Sequence, residues 1–81
     1  MAAFAKTEAE IADRVSRYLK AELKRADITY AGLAELLAKH GLKGETEASV
    51  KNKLLRGTFA ATFLLATIAA LEMEGVRLED I

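Results

Sequence analysis

The residues with the most chemistry to offer lie in one stretch, Thr46-Glu47-Ala48-Ser49-Val50-Lys51-Asn52-Lys53-Leu54-Leu55-Arg56-Gly57. At about 100° per residue it reads as a short helix with two faces. Val50 and Leu54 stand four apart and share the inward side. The opposite side carries Ala48, Ser49, Asn52 and Arg56, with Lys51 and Lys53 on its flanks. Thr46 is placed to cap the start, and Gly57 stands where a helix stop with positive φ places a glycine. A small, polar, basic face of this kind fits the major groove of DNA. It is also what an ordinary solvated helix face looks like, and the rest of the chain has to decide between the two.

Catalytic chemistry is not expected. The chain has no cysteine, which excludes disulfides, thiolate-bound zinc and sulfur redox chemistry. Its one histidine, His40, falls at the expected end of a helix, where the helix dipole favours it as a surface residue. No carboxylates cluster around a base, and the five glycines sit singly or at helix ends rather than in a phosphate-cradling loop. No cofactor and no metal is implied.

Charge is more informative in its distribution than in its total, which is zero. From Arg14 to Arg56 ten Lys and Arg face five acids, whereas the two ends together carry Lys6 and Arg77 against seven acids. The middle is therefore +5 and the ends −5. Such a dipolar protein can turn one side to a polyanion and repel it with the other.

These residues need elements to hold them. Eighty-one residues suffice for one small domain with a single core, and Ala, Leu, Glu and Lys in the absence of proline favour helix throughout. Met1 to Lys6 is expected to be flexible, and is too short and too soon charged to be a signal peptide. Thr7 to Glu10 has the capping-box pattern, and Ile11, Val15, Tyr18, Leu19, Leu23 and Ala26 then form one apolar stripe of a long first helix. Its other face, Arg14, Arg17, Lys20 and Lys24, is expected in solvent. Thr29 caps a second helix running to about Lys39, in which Gly32 suggests close approach by another helix. Leu42 to Glu45 is a loop, with Leu42 turned inward. Thr58 is expected to cap a helix over Phe59–Met73, ended by Gly75. Phe59, Phe63, Leu64, Ile68 and Leu71 fill one core face of that helix and leave Ala61, Leu65, Ala69 and Met73 over. It is thus either fully surrounded or in part a subunit contact, and it is too short and too rich in Ala and Thr for a membrane span. Val76, Leu78 and Ile81 offer three anchors for a last turn.

Thr29-Tyr30-Ala31-Gly32-Leu33-Ala34-Glu35-Leu36-Leu37, the pair Arg56-Gly57, and the run from Leu64 to Leu71 followed by Gly75-Val76-Arg77-Leu78-Glu79-Asp80-Ile81 carry a resemblance. They resemble the lambda-repressor-like (Cro/C1, XRE-type) helix-turn-helix domains from the second helix to the closing turn. Tyr18 to Arg25, Asn52 to Gly57 and Phe59 to Leu65 are similar to an uncharacterised family of short bacterial proteins catalogued as a domain of unknown function. Two features depart from the repressor pattern. The turn before the third helix is longer, and the buried pair Val50/Leu54 is spaced by four rather than three. Both are expected to shift the third helix relative to the second.

The resemblance implies an all-α, compact four- to five-helix repressor-like domain spanning 1–81, in a cytoplasmic bacterial protein. It implies a sequence-specific double-stranded DNA-binding transcriptional regulator, acting as a homodimer in which Phe59–Met73 supplies the contact. Ser49 and Asn52 are then the candidate base readers, since Asn pairs bidentately with adenine and Ser donates or accepts. Lys43, Lys51, Lys53 and Arg56 are candidate phosphate contacts, and Thr29 lends first-turn N–H groups to a phosphate. The other reading is a protein-interaction module on the same fold, bound to a protein partner through the apolar Phe59–Met73 helix.

Overall fold

The computed structural model describes residues 3–81 of the chain. Four α-helices, α1 (Glu8–Arg25), α2 (Tyr30–Lys39), α3 (Glu47–Arg56) and α4 (Ala61–Ala70), precede a single 3₁₀ turn at Leu78–Asp80, and there is no strand among the described residues. α2 packs most extensively on α3; α1 backs α3, and α4 backs α2. The chain bends by 111° between α3 and α4. Among the described residues no single helix is long and apolar enough to cross a membrane. The expected flexibility of Met1 and Ala2 lies outside the described residues. The Arg14 guanidinium stacks 4.1 Å from the Phe4 ring centroid.

One cluster joins all four helices: Leu19 and Leu23 from α1, Leu33, Ala34 and Leu37 from α2, Val50 and Leu54 from α3, and Phe63, Ala66 and Ala70 from α4. The α1 stripe is displaced from the expected one. Ala12, Ser16, Leu19 and Leu23 are buried, while Ile11 is 41% exposed and Ala26 is exposed. Gly57 supplies the reason. A Cβ built on it would stand 1.9 Å from the Ala12 carbonyl oxygen, so α3 ends directly on the α1 backbone. Only a small side chain fits α1 there, and bulk-weighted periodicity favours the wrong neighbour. Gly57 also holds φ at 71°, so both its freedom and its lack of a side chain are used.

Helix ends account for most other differences. α1 and α4 both finish in a paired 5→2 and 6→1 hydrogen-bond arrangement: Asp27 and Ile28 donate to Lys24 and Leu23, and Glu72 and Met73 donate to Ala69 and Ile68. The left-handed residue in each is not a glycine but Asp27 (φ 58°) or Glu72 (φ 56°). α4 therefore stops at Ala70, short of the expected Met73, and Gly75 is not its terminator. α4 also starts later than expected. Its N-cap is Ala60, which offers no side-chain hydrogen bond, and Thr58 does not cap it.

α2 follows its expectation more closely. Thr29 Oγ1 accepts from the Gly32 N–H at 3.0 Å. Gly32 is crowded by that same hydroxyl, 3.2 Å from a built Cβ, and no other helix approaches it. Beyond Lys39 the Leu42 N–H donates to the Leu37 carbonyl at 2.9 Å, which turns Leu42 onto the core. α4 is not fully surrounded: Ala61, Thr62, Leu65 and Ala69 are exposed, Leu65 to 65%. Leu78 is likewise 65% exposed, so the closing turn anchors through half-buried Val76 and Ile81 alone.

Candidate nucleic-acid interface

α3 is set by its two ends. Thr46 Oγ1 accepts from the Ser49 N–H at 3.1 Å, and Ser49 Oγ accepts from the Thr46 N–H at 2.8 Å. Ser49 Oγ also donates to Glu45 Oε1 at 2.7 Å. Lys53, one turn on, pairs with the other oxygen of Glu45 and lies 5.1 Å from the Phe63 ring centroid. Thr46, Ser49, Glu45, Lys53 and Phe63 thus form one chain of contacts from the loop through α3 to α4. Burial pushes the Glu45 carboxyl up, but hydrogen bonds from Lys53 and Ser49, with the Lys53 charge, outweigh it and hold the group below its ordinary 4.5.

Two of the expected site residues are accordingly turned inward. The Ser49 hydroxyl has its donor and acceptor capacity engaged at the helix start, and the Lys53 ammonium is neutralised by Glu45. Lys43, Lys51 and Asn52 are exposed and make no side-chain hydrogen bond or ion pair among the described residues. Arg56 is exposed too, and its one contact is a long 3.5 Å reach to the Thr58 carbonyl.

The outward line of α3 runs through Ala48, Asn52 and Leu55, spaced by four and three, with Lys51 on one side and Arg56 on the other. Leu55 is 50% exposed at the centre of this face, and sequence reasoning missed it. The spacing from Asn52 is the signal that points to it; an apolar residue beside the buried Leu54 reads as core by default.

Thr29 caps the start of α2, and Lys43 lies in the loop beyond its other end. Thr29 belongs to a groove of about 330 Å³ lined also by Lys20, Lys24, Tyr30 and Glu47. The exposed Glu47 closes this groove at the first turn of α3, where its charge complements the helix dipole. A larger groove, about 810 Å³, lies against α1 beside Tyr18 and Asp80. Its cations are already engaged: Arg17 with Asp13, Arg25 with Glu22, and Arg14 with the main-chain oxygens of Phe4 and Ile81. Arg14, expected in solvent, is instead half-buried and ties both ends of the chain together. Burial, followed by the charges of Glu22 and Asp80, raises the Tyr18 phenol above its usual value. Among the described residues no three His, Cys, Asp or Glu side chains converge as a metal site.

The architecture is that of a small all-helical protein of four helices around one core. The model of a family described as a domain of unknown function (DUF6471) matches residues 11–76, which takes in α2, α3 and α4 whole and α1 from Ile11, and the chain belongs to that family. No curated protein and no solved structure matches it.

Proposed function

We propose that the protein is a repressor-like helix-turn-helix domain that places α3 in the major groove of double-stranded DNA and regulates transcription in the bacterial cytoplasm. The observation that carries this reading is the division of polar groups on α3. Glu45, the acid in the loop before it, is neutralised inward by Lys53, while Lys51, Asn52 and Arg56 face outward. Asn52 is the base reader, pairing with an adenine edge through its amide. Lys51, Arg56 and Lys43 contact phosphates, and α2 offers a further phosphate its first-turn N–H groups beside Thr29. Lys53 and Ser49 serve by fixing the pitch and start of α3.

One short helix reads too few base pairs for useful selectivity, so the working form is a homodimer on two half-sites. The outward face of α4, with Leu65 at its centre and no charged residue between Ala61 and Ala70, is the contact between copies. The same exposed Leu65 favours the second reading, a protein-interaction module without DNA binding.

Titration of ¹⁵N-labelled protein with a mixed-sequence duplex at low salt separates the two. DNA binding predicts amide shifts concentrated at Lys51–Arg56 and at Tyr30–Gly32. No shifts in a folded protein overturns the proposal and turns attention to α4.

A further inference from the structure

Resting on the DNA-binding reading of α3, we propose that this helix selects A·T base pairs, with Asn52 reading adenine and Leu55 and Ala48 reading thymine methyl groups. Leu55 is a large apolar side chain held half in water on a helix whose other two aliphatic side chains longer than alanine, Val50 and Leu54, are fully buried. A solitary exposed leucine is ordinary. This one stands in line with Asn52 and Ala48, between two outward cations. The line from Ala48 to Leu55 rises about 10 Å along the helix, the reach of roughly three stacked base pairs.

Along that line the chemistry is a methyl, an amide and an isobutyl group. In the major groove an amide matches the paired acceptor and donor of adenine, and an apolar group matches the thymine methyl. Guanine asks for two donors, which Arg or Lys supplies. Lys51 and Arg56 lie about 70° to either side of the Asn52–Leu55 line, toward the walls of the groove where the phosphates run. Charge on the flanks and apolar groups at the centre therefore assign separate tasks: the flanks hold the polyanion, and the centre distinguishes T·A and A·T from G·C.

The test measures anisotropy of three labelled 20-base-pair duplexes at low salt: one of mixed A and T order, the same with uracil in place of every thymine, and one of mixed G and C. Leu55→Ala and Asn52→Ala, checked for helix by circular dichroism, are run beside the parent protein; both positions are exposed. The expected result is preference for the A·T duplex over G·C, and weaker binding of the uracil duplex by about fourfold for each methyl group engaged. Leu55→Ala is expected to narrow the thymine–uracil difference by about fourfold, leaving the share read by Ala48, and Asn52→Ala to lower the A·T preference by about fivefold or more. Equal binding of the thymine and uracil duplexes, or tighter binding of G·C, by a parent protein that does bind DNA overturns the A·T assignment alone. Failure to bind all three overturns the DNA-binding reading itself.

Discussion

At the scale of single residues, Glu45 ties the loop before α3 to both the cap and the second turn of that helix. Its carboxyl is depressed in the folded protein, so the stabilisation it gives is present above the ordinary carboxylate value of 4.5 and is lost as pH falls through the lower folded value. Thermal midpoints measured from pH 7 to pH 3 should therefore fall more steeply for the parent than for Glu45→Gln, with the two curves converging in acid. Parallel curves would show that the pair contributes nothing. Much of this network is hidden in the sequence. The pattern Thr-x-x-Glu at Thr7 is the familiar capping signature, yet Glu10 takes the Lys6 N–H at 3.2 Å rather than that of Thr7. At Thr46 the third position is Ser49, not Glu or Gln, and there the reciprocal box forms. Ser49 reads as a base reader because a short polar side chain on an exposed turn fits either task, and only the position of Glu45 decides which.

At the scale of elements, the first three helix starts and the stops at Lys39 and Gly57 are legible in the sequence, whereas neither end of α4 is. Thr7, Thr29 and Thr46 are all N-caps, because a hydroxyl before an apolar run has few other uses. The stop at Glu72 is illegible because Glu is not a residue that prefers positive φ, and the 6→1 bond from Met73 holds it there. Two substitutions test these boundaries. Gly57→Ala should cost about 3 kcal/mol, combining left-handed strain with backbone overlap on Ala12, and chemical denaturation measures it. A cost below about 1 kcal/mol would mean that α1 and α3 separate freely. Ala60 already has the extended conformation of an N-cap (φ −66°, ψ 151°) without the side chain for it. Ala60→Ser should raise stability by about 1 kcal/mol in the same assay, and no gain would place the start of α4 elsewhere.

At the scale of the whole molecule, the charge segregation of the sequence is only partly kept in space, since Arg14, Arg17 and Arg25 of the basic middle line one groove with Asp80. Arg14 draws Phe4 and Ile81 to one place on α1. The cations of α3 point elsewhere, and the proposed dimer uses the outward face of α4, where Leu65 is exposed. Sedimentation equilibrium should find a concentration-dependent dimer that Leu65→Asp abolishes without loss of helix. A parent protein monomeric up to millimolar concentration would remove α4 from that role.

The central claim is that α3 meets DNA with its outward cations while Lys53 stays inside. The most direct measurement is the salt dependence of duplex binding for the parent, Lys51→Ala, Arg56→Ala and Lys53→Met. Removing one cation from the phosphates should lower the log–log slope by about 0.9 for each copy bound, so Lys51→Ala and Arg56→Ala should each fall by about one per copy and Lys53→Met should keep the parent slope. A slope that falls for Lys53→Met and holds for the other two would contradict the claim.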